Sequence, residues 1–274
     1  MMMQRLALGA VLAVALVGAA GATDLPVRAP YYKAPPVPVF SWTGCYVGGN
    51  VGGLRNDSKL TTYPDASTGL PADLQTEDYG FDQSRFTGGV QYGCNRQFGS
   101  WVVGLDSSFS WAGLNESASA TYNIQTAPGV TVTTTNDTVT QKLDWYSTTR
   151  GRIGWAQDRW MIFAAGGLAS GRVESSYLGA QTGLTTYSGS QAKYRFGWTV
   201  GGGVEYALSD NWFLRGEYLY VDLGKYSYTS PNSAGTLLWT TDVDTRFQVA
   251  RLALSYRFTR AGSLLEWAMG GFRD

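Results

Sequence analysis

The sequence predicts an all-β protein, an eight-stranded antiparallel up-and-down transmembrane β-barrel, and three observations carry that expectation. Runs of apolar and polar residues alternating with period two recur along the chain. Long polar stretches and very short turns follow one another between the runs. Glycine and aromatics are abundant and charge is scarce, with 35 Gly, 17 Tyr and 10 Trp among 274 residues and only 15% charged. A strand sends successive side chains to opposite faces. A closed sheet with lipid outside and a narrow interior therefore needs this alternation, with small residues where the wall is crowded.

The last run, residues 246–258 (RFQVARLALSYRF), shows the pattern most plainly. Ala250, Leu252, Leu254, Tyr256 and Phe258 share one face, and Arg251, Ala253, Ser255 and Arg257 share the other. An apolar face ending in aromatics suits a strand that crosses an outer membrane and closes the sheet.

Ahead of the runs, residues 1–22 combine a basic Arg5, an apolar stretch over 6–17 and small residues at Ala20 and Ala22, the form of a signal peptide cut before Thr23. Residues 23–41 hold five of the nine prolines, at positions 26, 30, 35, 36 and 38, and read as a proline-rich periplasmic lead. No later segment is apolar over the roughly 18 residues that a membrane helix needs. Any span must be made by strands.

Eight runs follow, over residues 42–54, 84–97, 101–111, 141–155, 160–173, 193–208, 212–223 and 246–258. The stretch after the first is acidic, with Asp57, Asp65, Asp73, Glu77, Asp78 and Asp82; the stretch after the third is Thr-rich (TVTTTNDTVT) and ends at Thr140. Turns of three or four residues join the second run to the third, the fourth to the fifth and the sixth to the seventh. This alternation of long and short connections is that of a barrel with periplasmic turns and extracellular loops, closed so that no edge is left in hydrocarbon. The barrel is thus expected over 42–258, with residues 259–274 as a C-terminal tail.

Subtracting the apolar face leaves the positions expected to point inward. The fourth run places Lys142, Asp144, Tyr146, Arg150 and Arg152 there, opposite Leu143, Trp145, Ile153 and Trp155; the sixth places Lys193, Arg195 and Glu205. Asp106, Arg215, Glu217 and Arg251 complete the set. An eight-stranded barrel is just wide enough for side chains to fill it. Buried charges must then pair, so Asp106, Arg150, Arg152, Glu205, Arg215, Glu217 and Arg251 are expected to interlock as a lumen charge network. Cys45 and Cys94 fall at one end of the first hairpin on the same face, where a cross-strand disulfide is feasible in an oxidising compartment; two inert apolar thiols are the alternative.

The chain contains no His, which removes Ser-His-Asp and Cys-His catalysis, His-based zinc sites and His-ligated haem. No catalytic, cofactor-binding or metal site is read from it. Glycine clusters at 48–53 and 201–203 lack the Lys-Ser/Thr ending and the strand-to-helix setting of a phosphate loop. The 21 basic and 21 acidic residues balance, giving no electrostatic case for nucleic acid.

Several blocks, including the lead DLPVRAPYYKAPPVPVFSWTGCYVGGNVGG, WVVGLDSSFSWAG, RGRIGWAQDRW, GWTVGGGVEYAL, NWFLRGEYLYVDLG and the closing RLALSYRF, occur in one order. In these the chain resembles the alphaproteobacterial family of small outer-membrane β-barrel surface antigens, labelled porin-family proteins, with the rhizobial RopB proteins among them. The resemblance implies an OmpA-like barrel in the cell outer membrane, without enzymatic activity and at most a small pore, that contributes to envelope integrity. It implies lipid, lipopolysaccharide and the barrel-assembly machinery as partners, and leaves room for a homo-oligomer. A binding module engaging a host molecule or ligand through the extracellular loops is the alternative. Family members end at the aromatic residue of the last strand, so Leu252, Leu254, Tyr256 and Phe258 take the part of the closing-strand assembly signal. Here TRAGSLLEWAMGGFRD follows. Ending the chain at Phe258 is expected to leave outer-membrane insertion intact, as measured by fractionation; loss of insertion would place Phe272 or its neighbours in the barrel.

Overall fold

The computed structural model describes residues 40–68, 76–120, 123–127, 130–181, 186–236 and 238–258. The expected signal peptide, the lead up to residue 39 and the tail lie outside the described residues. The described strands are β1 (Gly44–Asn56), β2 (Lys59–Pro64), β3 (Glu77–Gly80), β4 (Ser84–Phe98), β5 (Trp101–Ala120), β6 (Asn123–Ala127), β7 (Val130–Gln157), β8 (Trp160–Gln181), β9 (Thr186–Ala207), β10 (Trp212–Pro231) and β11 (Leu238–Phe258). β1, β4, β5, β7, β8, β9, β10 and β11 pair in that order, and β11 returns to β1, so eight antiparallel strands close a ring. β2 continues β1 upward along β11, β3 pairs with β2, and β6 folds back on β7.

Local chemistry explains the short end of the barrel. Two-residue hairpin turns require positive φ, which Gly99 (φ 61°) supplies between β4 and β5 and Asp158 (φ 52°) between β7 and β8. Both chain ends of the ring lie at this end, as an even strand number demands.

The outer face carries an apolar belt between two levels of aromatics. Phe98, Trp101, Trp155, Trp160 and Trp212 mark the lower level, and Phe86, Trp111, Tyr194, Phe196 and Trp198 the upper, all exposed. Trp101 pairs with Trp155 and Trp111 with Trp145. Those ten-residue intervals span ~33 Å along a strand, or ~25 Å of height at the usual tilt, the height of an outer-membrane apolar band.

Above the upper aromatics the strands do not stop. The stretches read as loops after residues 111, 173 and 223, and those before 141, 193 and 246, are largely strand. They were hidden because their polarity is reversed. Along β11, Leu252, Leu254 and Phe258 face out and Arg251 faces in; higher up, Val249, Phe247 and Val243 are buried within and Gln248, Arg246 and Asp244 lie outside. Outside, Ser and Thr pair in ladders, such as Ser117 with Thr140 (2.9 Å) and Ser119 with Thr138 (3.1 Å). The upper barrel is built for water: apolar inside, polar outside.

Bulges mark the change of solvent. The register slips between Trp111 and Leu114 on β5, between Leu143 and Tyr146 on β7, and between Asp222 and Lys225 on β10, with Gly113 (φ 55°) and Gly224 (φ 76°) at two of them. The β7 bulge corrects the facing expected from strict alternation. Leu143 is buried inside, while Lys142 and Asp144 face out, 4.0 Å from Glu174 and 3.2 Å from Arg172 respectively. Lys193 keeps the expected inner parity, opposite the buried Val173, but is exposed because the wall beside it is open.

At the β10 bulge the backbone presses on β9, and a Cβ at Gly197 would lie 1.8 Å from the Asp222 carbonyl oxygen. Gly197→Ala is therefore expected to cost about 2–3 kcal/mol in urea unfolding of the refolded barrel. Gly53, whose Cβ would meet nothing within 4 Å, serves as the control: Gly53→Ala should stay within about 0.5 kcal/mol of the parent.

Candidate functional site

The interior is filled in successive layers, starting at the end that carries the short turns. Trp42 is almost wholly buried; its indole nitrogen donates to the Asp158 carbonyl (3.2 Å) and its backbone N–H to Gln97 Oε1 (2.7 Å). Phe40 stands edge-on to Trp42 at 5.0 Å, Trp42 to Phe213 at 5.8 Å, and Tyr46 to Phe213 at 5.2 Å. The Arg257 guanidinium lies 4.4 Å from the Phe40 ring. Phe40, expected in the lead, thus joins an aromatic plug in the mouth. The apolar reward for burying two large rings draws the chain inward before β1 begins.

Above the plug, cross-strand register creates the charged layer. Asp106 lies opposite Arg150, Glu205 opposite Arg215, and Glu217 opposite Arg251. Arg150 grips Asp106 with two parallel bonds, Nε to Oδ1 at 2.9 Å and Nη2 to Oδ2 at 3.0 Å, the fork that a guanidinium offers a carboxylate. Arg251 Nε donates to Glu217 Oε1 at 2.7 Å, and Arg215 Nε to Glu205 Oε1 at 2.5 Å.

Further bonds reach across the lumen. Arg215 Nη1 donates to Asp106 Oδ2 at 2.7 Å, joining opposite walls of the ring. Arg150 Nη2 reaches Glu217 at 3.0 Å, and Arg152 Nη2 reaches Glu205 at 2.8 Å. Arg215 and Arg152 both donate to the Tyr46 hydroxyl, at 2.8 and 3.2 Å. Tyr46 fits because Gly93 stands opposite it, where a Cβ would come within 2.5 Å of the phenol oxygen. All seven residues expected to interlock are brought together, buried, with a formal surplus of one positive charge from four guanidiniums and three carboxylates. Tyr46 was missed by the sequence reading; it shares the inward parity of Gly44 and Asn50 on β1.

Above the charges the upper core takes over, with Leu54, Leu143, Tyr146, Leu219, Val221, Phe247 and Val249 at its base. Among the polar groups it encloses, Asn56 Nδ2 donates to Glu116 Oε2 and to Gln141 Oε1, each at 3.3 Å. Nothing in the sequence pattern singled out Glu116.

On the lipid side, Cys45 and Cys94 occupy opposed positions of β1 and β4, Cα atoms 3.9 Å apart, with their sulfurs joined. Leu252, Leu254, Tyr256 and Phe258 face outward on β11, and their strand partners on β1 are Val51, Gly49, Val47 and Cys45. Among the described residues no group of three or more Cys, Asp or Glu is arranged to hold a metal ion.

A closed antiparallel ring with an apolar belt between aromatic levels and a filled interior defines a membrane-spanning β-barrel. The chain belongs to the outer membrane protein beta-barrel domain family, whose model matches residues 10–258. It is 34% identical over 230 residues to the 31 kDa outer-membrane immunogenic protein of Brucella melitensis, covering 82% of this chain and 87% of that one. It is 29% identical over 200 residues to the 22 kDa outer membrane protein of Rhizobium leguminosarum, covering 72% and 71%. Among solved structures, the outer membrane protease OmpT of Escherichia coli aligns over 81% of this chain and 99% of its own, with 9% identity and a TM-score of 0.48. The protein is an outer-membrane β-barrel.

The charged layer makes its own test. Glu217 takes bonds from Arg150 and Arg251, so Glu217→Ala strands cations in a buried interior and is expected to cost about 3–5 kcal/mol. Replacing Glu217 and Arg251 together by Leu should cost clearly less, because the layer then keeps its original surplus of one positive charge instead of gaining another. Denaturant unfolding of the refolded variants reads both.

Proposed function

We propose that this chain is a non-enzymatic structural protein and surface antigen of the outer membrane, contributing to envelope integrity. The observation that carries the reading is the closed lumen: aromatic plug, charge lattice and apolar core follow one another along the axis with the largest side chains fully buried. Such an interior makes a stiff wall rather than a path for solutes. The part offered to the outside is the polar upper barrel, and the relatives named as immunogenic proteins support its role as an antigen.

In the same reading residues 1–22 direct export, 42–258 form the inserted barrel, and the tail is peripheral. Lipid and lipopolysaccharide surround the belt. The outward face of β11, with Phe258 at its end, is what the barrel-assembly machinery engages during biogenesis. The Cys45–Cys94 bridge forms in the exported protein and clips a hairpin that the ring already holds. Catalysis is disfavoured by how the carboxylates are spent: Asp106, Glu205 and Glu217 each face at least two cations and none opens to solvent.

Planar-bilayer recording of the refolded full chain is expected to show no steady openings. Trp42→Ala should stay silent too, because the charge lattice and apolar core still close the axis. Large steady channels in the parent protein would refute the closed-lumen reading. For the bridge, mass spectrometry of unreduced peptides is expected to find Cys45 joined to Cys94, and two alkylatable thiols would refute it.

A further inference from the structure

β9 and β10 are paired from Phe213 opposite Ala207 up to Asp222 opposite Trp198, and they touch again where Tyr187 bridges to Asn232. Between these points, over residues 188–197 and 223–231, no backbone pairing joins them among the described residues. The bulge at Gly224 opens the seam: its N–H donates to Asp222 Oδ1 at 2.7 Å, the register to β11 slips, and β10 above it turns Tyr226 and Tyr228 inward. What remains is a groove of ≈ 330 Å³ lined by Ser190, Gln191, Lys193, Ser227, Tyr228 and Thr229.

The charge of this seam is not neutralised by its surroundings. Lys193 is exposed and meets no carboxylate among the described residues. Arg195, two residues below it on the same side of β9, donates to the Lys225 carbonyl and lies 4.9 Å from the Tyr226 ring, again with no carboxylate. Several cations near this height are paired, Lys225 with Asp244 at 3.6 Å, Arg172 with Asp144 at 3.2 Å, and Arg55 with Asp82 at 2.8 Å. The seam adds open strand edges, whose unpaired amides need acceptors from solvent or a ligand. Lys193, hydroxyls and amide donors converge on one groove, with the Arg195 guanidinium in the seam just below it, and together they suit an anion with several oxygens.

The height of the seam says where that anion comes from. Tyr194, Phe196 and Trp198 are exposed on the outer face of β9 directly beside and beneath it, with Phe196 79% exposed. Aromatics of this kind mark the boundary between hydrocarbon and headgroups. The groove therefore opens at the level of the outer-leaflet phosphates. We propose that the β9–β10 seam, through Lys193 and Arg195, binds a phosphate group of the lipopolysaccharide packed against the barrel.

The test uses the full chain folded in non-ionic detergent and three probes: lipid A with its phosphates, the same lipid dephosphorylated, and inorganic phosphate. Native mass spectrometry reads how much lipid stays bound. The parent is expected to retain the phosphorylated lipid in preference to the dephosphorylated one. The variant K193Q/R195Q should lose about tenfold in that retention, the worth of one or two charged hydrogen bonds. Lys193→Gln alone removes a side chain that meets no ion-pair partner among the described residues and is expected to leave the fold intact; it should show a smaller loss in the same direction. Equal retention of both lipids by the parent, or undiminished retention by the variants, would overturn the proposal. Displacement of the lipid by an equal concentration of inorganic phosphate would overturn its lipid source, and failure to displace it supports that source.

Discussion

Hydrocarbon offers the backbone no hydrogen bonds, and the rest of the structure depends on the closure that this forces. β1 meets β11 over twelve residue pairs, from Cys45 opposite Phe258 to Asn56 opposite Phe247. Once eight strands close at this diameter, the interior has room for side chains and little else. Everything that points inward must then fit everything else that does. This is why Gly93 stands opposite Tyr46, and why guanidiniums from one wall find carboxylates on the other.

The same ring then leaves the membrane without ending. Water satisfies exposed amides, so above the upper aromatics closure is no longer obligatory, and β9 separates from β10 where Gly224 permits it. Polarity reverses for the same reason. Lipid rewards an apolar exterior and tolerates a polar interior only if it is paired; water rewards a polar exterior and pushes Val243, Phe247 and Val249 inward. The three bulges lie at this boundary, and each lets a strand re-aim its side chains as the solvent changes.

Much of this was legible in the sequence where one solvent rules. Below the boundary, period two alone separates Arg251 from Leu252 and Glu205 from Val204, and the seven charged residues expected to meet do so. Legibility fails where a single residue is inserted. The β7 bulge between Leu143 and Tyr146 shifts parity, so Lys142 and Asp144, extrapolated from Arg150 and Arg152, land on the wrong face. The upper strands were unreadable for a different reason. A search for outward apolar residues passes over Ser117, Ser119, Thr138 and Thr140, whose outward faces are polar because they meet water. Phe40 and Trp42 carry no mark in a proline-rich context, and their place in the lumen depends on a mouth that exists only after closure.

The upper core shows that this chain can fill an eight-stranded ring with apolar side chains, so the charged layer is not there for want of an alternative. Buried ion pairs add little net stability over well-packed apolar groups. What they specify is facing. In the lipid-embedded half, a strand apolar on both sides could slip by one residue and still bury apolar groups everywhere. With Arg150, Arg152, Arg215 and Arg251 on the inner face, the same slip drives guanidiniums into lipid at about 2–4 kcal/mol each near the midplane. The outward-facing Ser and Thr ladders cannot provide that discrimination, because they act only where water is the solvent. The charge lattice belongs in the half of the barrel where nothing else distinguishes inside from outside.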